Sequence, residues 1–102
     1  MSNITTMNEA PLPSGLQTSI TLWADATTAP TSRRRHDLQR DKCNAVTEFF
    51  AFTGKAPALV KPQDVKAWQA RLEARNLAAS TVYAKISKVS SFYRWAMSVP
   101  EL

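Results

Sequence analysis

The stretch that decides the fold is Ser80–Ala96, STVYAKISKVSSFYRWA. Its apolar residues recur every three or four positions, which is the spacing of an α-helix that buries one face. We therefore predict a helix here, with Ser80 and Thr81 in its first turn and Pro100 closing it. The buried stripe of this predicted helix is Val82, Ile86, Val89, Tyr93 and Ala96.

The earliest apolar periodicity in the chain predicts a short amphipathic helix. Leu16, Ile20 and Trp23 are spaced by four and three residues, as one helical face requires. Ala29-Pro30 ends this helix, because the residue before a proline is disfavoured in helical backbone. Residues 1–15 are rich in Ser, Thr, Asn and Pro, so we expect them to form a flexible leader.

A second helix is predicted for the segment after Pro30. Thr31 or Ser32 is its expected N-cap, because a side-chain hydroxyl accepts a hydrogen bond from a free backbone N–H. The helix should end near Thr53-Gly54, where glycine tolerates the left-handed cap conformation. Its predicted apolar stripe is Leu38, Ala45, Phe49 and Phe52, with Val46 beside it.

A third helix is predicted after a connecting loop at residues 55–60. Pro62 suits the first helical position, and Asp64 places a negative charge in the first turn, where the helix dipole favours it. Its stripe is Val65, Trp68 and Leu72, and its end lies near Arg75-Asn76. No segment alternates with period two and no Asn-Gly or Asp-Gly turn is present. The sequence therefore predicts an all-α protein, a compact four-helix bundle over residues 16–100.

Charge is divided unevenly along the chain. Residues 1–30 carry two acidic residues and no Lys or Arg, whereas residues 31–102 carry all thirteen basic residues and six acidic ones, a formal charge of +7. Such a basic segment favours a polyanionic partner, and double-stranded DNA is a more natural one than a membrane surface. We expect a cytoplasmic protein, because the lone Cys43 allows no internal disulfide and no apolar run approaches the length of a membrane span.

The sequence offers little for catalysis or for cofactor binding. No cysteine or histidine accompanies Cys43 at ligand spacing, and no glycine-rich loop could hold a nucleotide phosphate, so we expect no metal and no cofactor. Tyr93 lies on the apolar stripe, which favours packing over a nucleophilic role. The aromatic residues expected in the core are Trp23, Phe49, Phe52, Trp68, Phe92 and Trp95.

Two clusters of polar residues are candidates for contact with DNA. One lies in the first half of the second helix and consists of Arg33, Arg34, Arg35, Arg40 and Lys42. The other follows the fourth helix at three- and four-residue spacing, opposite much of the apolar stripe, and consists of Thr81, Lys85, Lys88 and Ser91, with Ser80 before them. Ser80 and Thr81 could donate to phosphate from the positive end of that helix, and capping by Ser80 is compatible with this role.

Read in order, the four segments resemble the N-terminal core-binding domain of tyrosine recombinases, the phage-integrase family with a SAM-like helical fold. The strongest similarity is the Ser-Thr start and the Ile-Ser, Val and Phe-Tyr positions within Ser80–Ala96. Further similarity lies in the second helix, in the entry to the third helix and in the exit from the fourth, at Val46, Phe49, Phe52, residues 59–65 and residues 97–100. The resemblance covers residues 16–100.

This resemblance implies a function and a set of partners. Domains of this family bind duplex DNA at the recombination site, and their second and fourth helices meet the major groove. The resemblance also implies a separate C-terminal catalytic domain, with the strand-cleaving tyrosine, that has no counterpart up to Leu102. We therefore expect a DNA-binding domain without enzymatic activity of its own, associated with the nucleoid when bound. Its protein partners would be its own catalytic domain and neighbouring recombinase protomers.

A helical protein–protein interaction module is the alternative interpretation, since SAM-like bundles serve both purposes. Retention on DNA or heparin that falls with rising salt distinguishes the two, because a neutral interaction surface would not show it.

Overall fold

The computed structural model describes residues 14–31 and 33–99, and within them the chain forms four α-helices and no strand. These are α1 (Ser14–Ala26), α2 (Arg35–Thr53), α3 (Pro62–Ala74) and α4 (Ala79–Met97), with a 3-10 turn at Pro57–Leu59 between α2 and α3. The all-α prediction is confirmed. The helix α1 starts two residues before the predicted boundary, and residues 1–13 of the expected leader lie outside the described part of the chain.

The core is a continuous series of aromatic rings that joins all four helices. The Trp68 ring of α3 lies 5.1 Å from that of Phe49, which lies 5.3 Å from Phe50, its neighbour on α2. The Phe50 ring lies 5.8 Å from Phe92 of α4, which meets Trp23 of α1 edge to face at 5.6 Å. Such edge-to-face pairs contribute beyond their buried area. The helices α2 and α4 each contact the other three.

The helix α2 buries two adjacent rows of side chains rather than the single predicted stripe. Phe50 is 1% exposed, while Phe52, which was predicted to be buried, is 38% exposed and lies under the Arg71 guanidinium at 5.8 Å. Leu38 is likewise 38% exposed, so its predicted place in the core is wrong. Both differences follow from the centre of the buried face, which is rotated from the predicted stripe toward Val46 and Phe50 and leaves Leu38 and Phe52 at its edge.

The helix ends correct one predicted cap. The first helical hydrogen bond of α2 runs from Leu38 N–H to Arg34 O, so the N-cap is Arg34 and not Thr31, while Ser32 lies outside the described residues. The N-cap of α4 is Ala78, so Ser80 and Thr81 lie in its first turn, as predicted. The predicted C-cap is confirmed, because Gly54 has a φ of 63° and donates to Phe50 O.

The helix α1 ends at Ala26, three residues before the predicted stop at Ala29-Pro30. The hydroxyls of Thr27 and Thr28 donate to the carbonyls of Trp23 and Ala24, each at 2.7 Å. Such hydroxyls compete with backbone donors for the last helical carbonyls.

Tyr93 has the packing role that its place on the stripe predicted. Its hydroxyl donates to Pro57 O at 2.8 Å, which ties the second half of α4 to the 3-10 turn. Burial, together with the charge of Asp64, raises the pKa of Tyr93 to about 12. The phenol therefore keeps its proton at neutral pH.

Replacing Trp68 by Ala should lower the free energy of unfolding by about 3–5 kcal/mol, because it removes a 1% exposed side chain and leaves a cavity. A domain of this size has only about 5–15 kcal/mol to lose. Urea unfolding followed by circular dichroism measures the change. A midpoint equal to that of the parent would contradict the central place of Trp68 in the core.

Candidate nucleic-acid interface

The ten predicted DNA-binding residues lie in the turn before α2, on α2 itself and on α4. The structure divides them into residues whose polar groups are bonded inside the protein and residues without such a bond. This distinction decides what each residue offers to a ligand, because an ammonium or guanidinium that is already bonded must give up partners before it binds phosphate.

Arg35 joins the first two helices. Its guanidinium donates to Thr28 O at 2.6 Å and forms an ion pair with Asp25, and its side chain is 25% exposed. Asp25 also accepts from the Gln39 side chain at 3.1 Å. The end of α1 is thereby fixed to the first turns of α2, and Arg35 is held away from external phosphate.

Lys42 is bonded more completely than any other predicted residue. Its Nζ donates to Thr27 O at 2.7 Å, Thr27 Oγ1 at 3.0 Å and Thr28 Oγ1 at 3.2 Å, which accounts for all three ammonium protons. The same ammonium lies 5.9 Å from the centre of the Trp23 ring, within cation–π range. Burial, and secondly the charge of Lys88, lower the pKa of Lys42. Lys42 thus caps the C-terminal end of α1.

Glu48 is a residue that the sequence analysis did not single out. One carboxylate oxygen accepts from Arg75 at 2.6 Å and the other from Lys85 at 3.0 Å, so Glu48 connects α2 to the loop after α3 and to α4. Burial raises the pKa of Glu48, but the hydrogen bonds and charges of the two cations outweigh it, and the net shift is downward. These partners are far from Glu48 in sequence: Arg75 is 27 positions away and Lys85 is 37 positions away. No periodic pattern in a sequence could have predicted such pairs.

The predicted face of α4 does not lie opposite the apolar stripe along its whole length. Lys85 is bonded to Glu48, and the Ser91 hydroxyl accepts from Trp23 Nε1 at 3.2 Å. Both residues are half-buried and border the packed side of the helix. Only the N-terminal part of the predicted face, at Ser80 and Thr81, is fully exposed.

Four predicted residues have no hydrogen bond or ion pair within the described part of the chain. They are Arg33, Ser80, Thr81 and Lys88, of which Lys88 is half-buried and the others exposed. Arg34 is exposed at the N-cap of α2, and Arg40 is exposed in an ion pair with Asp37 at 2.5 Å. The side chains open to a ligand are therefore Arg33 before α2, Ser80 and Thr81 in the first turn of α4, and Lys88 near the middle of α4.

The N-terminus of α4 differs from those of α2 and α3 in its charge. Asp37 lies in the first turn of α2 and Asp64 in that of α3, where its carboxylate accepts from Lys61 N–H at 2.8 Å. The first turn of α4 has neither an acidic residue nor a capping side chain. Its free N–H groups and partial positive charge remain uncompensated, which is the arrangement that binds phosphate at helix N-termini.

The described residues contain no group of three His, Cys, Asp or Glu that could hold a metal ion. Burial raises the pKa of Cys43, as expected for a packed thiol. No helix in the described ranges is long and apolar enough to cross a membrane.

Fold and surface together define a small helical domain of the SAM-like type. The family model for the N-terminal SAM-like domain of phage integrases matches residues 39–100, which is more than half of the chain. The chain belongs to this family, and the resemblance described above is confirmed. The matched domain is the N-terminal one, which is not itself catalytic. Comparison with curated proteins gives no match, and comparison with solved structures gives none either.

Replacing Lys42 by Met should destabilise the fold without weakening DNA contact. Loss of the cap on α1 should lower the free energy of unfolding by about 1 kcal/mol, the typical net value of a hydrogen bond. The dependence of DNA affinity on salt should keep its slope, because the ammonium has no proton left for phosphate. Urea unfolding and a salt titration measure the two effects, with Lys66→Met on exposed α3 as the control. If Lys42→Met reduced the salt dependence of DNA affinity and left the free energy of unfolding unchanged, Lys42 would be a DNA contact and not a helix cap.

The lowered pKa of Glu48 makes the fold sensitive to acid. The native state favours the ionised carboxylate more than the unfolded chain does. Its contribution to the free energy of unfolding is therefore complete above the ordinary pKa of 4.5 and is lost as pH falls through the lower pKa of the native state. Stability measured from pH 6 to pH 2.5 should therefore fall less steeply in Glu48→Gln than in the parent. Parallel curves would show that the bonds from Arg75 and Lys85 contribute nothing in solution.

Proposed function

We propose that this integrase-family domain binds duplex DNA at a recombination site through the beginnings of α2 and α4, while a separate C-terminal domain carries out strand cleavage and exchange. The observation that carries the proposal is the uncompensated N-terminus of α4 with Ser80 and Thr81 exposed beside it. In a member of a DNA-recombining family, phosphate is the natural ligand of such a group. With duplex DNA as its proposed substrate, the protein would act in the cytoplasm and be associated with the nucleoid when bound.

The distribution of bonded and unbonded cations supports this surface. Lys88 lies near the middle of α4 and its ammonium has no hydrogen bond or ion pair within the described residues, whereas the Lys42 ammonium is bonded to the end of α1. Arg33, which is exposed in the turn before α2, is a further cation without a side-chain partner among the described residues.

Protein contacts are assigned to another part of α4. Tyr83 and Met97 are 73% and 85% exposed and lie 14 positions apart, which places them on the same side of the helix. At 1.5 Å per residue they lie about 21 Å apart along the helix axis, so they would be two separate points of contact and not one apolar patch. We propose that the catalytic domain or a neighbouring protomer covers them, so the DNA and protein surfaces would use different sides of one helix.

Lys88→Ala tests the DNA surface directly. Removing one phosphate contact should flatten the slope of log affinity against log salt concentration by about 0.9, because one fewer counterion is released. Lys66→Ala is the matched control, since Lys66 is exposed on α3 and has no partner among the described residues. It removes the same charge but should leave the slope unchanged.

The two slopes are measured by fluorescence anisotropy with a 30-base-pair duplex between 50 and 200 mM salt. Equal slopes for the two variants would overturn the assignment to α4 and leave only a diffuse electrostatic attraction. Absence of salt-dependent binding by the parent chain would favour the alternative, a protein-interaction module.

A further inference from the structure

We propose that Arg75 and Lys85 form a latent phosphate-binding site that the chain's own Glu48 carboxylate occupies, so that Glu48 limits how tightly the domain holds duplex DNA. The inference rests on the proposed function, because it concerns how binding at the same surface is restrained. Glu48 is thus an internal competitor of the DNA backbone, and removing its charge should strengthen binding to DNA of any sequence.

The geometry of the cluster is that of an occupied anion site. Arg75 donates to one carboxylate oxygen of Glu48 at 2.6 Å, and Lys85 donates to the other at 3.0 Å. An arginine and a lysine that converge on one anion in this way present the donors that also bind phosphate. Two cations share a single carboxylate, so the positive charge of the cluster exceeds what Glu48 neutralises.

The cluster lies beside the proposed DNA surface. Thr81, Lys85 and Lys88 are spaced by four and three residues, so they are neighbours along one side of α4. Thr81 and Lys88 have no bond within the described residues, whereas Lys85, between them, is bonded to Glu48. Arg75 is the C-cap of α3, four residues before α4 begins. A DNA backbone that follows this side of α4 would therefore meet the Glu48 carboxylate at the position of Lys85.

The cluster is open enough to water for its bonds to be exchanged. The side chains of Arg75, Glu48 and Lys85 are 49%, 32% and 23% exposed, and none of the three belongs to the hydrophobic core. Separating ions at the surface costs far less than leaving a deeply buried charge unpaired. Release of the two cations should therefore leave the fold intact.

The charge of Glu48 keeps the site occupied at neutral pH. Although burial alone would raise the pKa of Glu48, the hydrogen bonds and charges of the two cations produce a net downward shift. The carboxylate is therefore ionised, and it opposes DNA in two ways. It holds both cations, and it repels any phosphate that approaches them.

Glu48→Gln in the full 102-residue chain tests the proposal, with affinity for a DNA duplex measured by fluorescence anisotropy over a range of salt concentrations. The amide keeps the shape of the side chain but loses the charge that holds the two cations. Each cation that gains a phosphate contact steepens the slope of log affinity against log salt concentration by about 0.9. The variant should therefore bind DNA more tightly than the parent, with a slope steeper by about 1.8.

Glu73→Gln is the matched control for the change in charge. Glu73 is exposed on α3 and accepts from the neutral Gln69 side chain, so this substitution removes the same charge but releases no cation. It should leave the slope unchanged. Adding Lys85→Ala to Glu48→Gln should remove about half of the gain in slope, because only Arg75 then remains to bind phosphate. Equal slopes for the two Glu→Gln variants would overturn the proposal.

A second variant tests the same point without weakening both bonds. Lys85→Ala in the parent keeps the bond between Glu48 and Arg75, so it provides the test even if circular dichroism shows that Glu48→Gln does not fold. Its slope should not be flatter than that of the parent, because Glu48 already holds the Lys85 ammonium. A slope flattened by about 0.9 would place Lys85 on phosphate in the parent and overturn the proposal.

Failure of this proposal is distinguishable from failure of the proposed function. If Glu48→Gln has the slope of the parent while Lys88→Ala still flattens it, Glu48 restrains nothing and the proposed DNA surface stands. If neither the parent nor Glu48→Gln binds DNA, both proposals are wrong.

Discussion

The fold depends on the burial of a single indole. Trp23 is fully enclosed, with its ring edge to face against Phe92, its N–H on the Ser91 hydroxyl and the Lys42 ammonium near its centre. One side chain of α1 therefore contacts both of the long helices. Because α2 and α4 each touch every other helix, whatever sets their relative position sets the whole surface on which the candidate site lies. Trp23 does this at the point where the three helices meet.

Internal bonds of the basic residues explain why the formal charge overstates what the protein could offer to the proposed DNA ligand. Five basic side chains form ion pairs among the described residues, and the Lys42 ammonium donates its hydrogen bonds to the residues that follow α1. A basic residue that caps a helix or bridges two of them still contributes to the long-range field, but it makes poor specific contacts. Recognition must then rely on the fewer side chains that the fold has left unbonded.

Helix number, helix type and the buried aromatic residues could be predicted from the sequence, because apolar spacing records directly which face a helix buries. Trp23, Phe49, Trp68 and Phe92 all lie in the core as predicted. The choice between Phe50 and Phe52 could not be predicted, since it depends on how far the buried face of α2 is rotated from the predicted stripe. The cap expected at Thr31 was wrong for a related reason: the local sequence permits several starts for α2, and tertiary bonds such as that from Arg35 to Thr28 favour one of them.

For the candidate site, charge and spacing selected residues of α2 and α4 but did not reveal which of their side chains are bonded within the protein. Charge and spacing predicted Arg35, Lys42 and Lys85 as DNA contacts. In the structure their side chains are hydrogen-bonded to residues that lie between 7 and 37 positions away in the sequence. Such bonds form because the helices pack together, and they produce no periodic pattern in the sequence. Ser80, Thr81 and Lys88 were selected by the same reasoning, and they remain open because nothing packs against them in a bonding position.

The family model begins at residue 39, yet α1 and the first turn of α2 lie before that point. The boundary of shared sequence and the boundary of the cooperative folding unit are therefore different. A chain trimmed to residues 39–100 would lose Trp23, Asp25 and Arg35, and the edge of Phe92 that the indole now covers would meet water. The helix α1, which completes the core, lies outside the family match. A shortened protein whose ends are chosen from the family match alone would therefore lack part of the core.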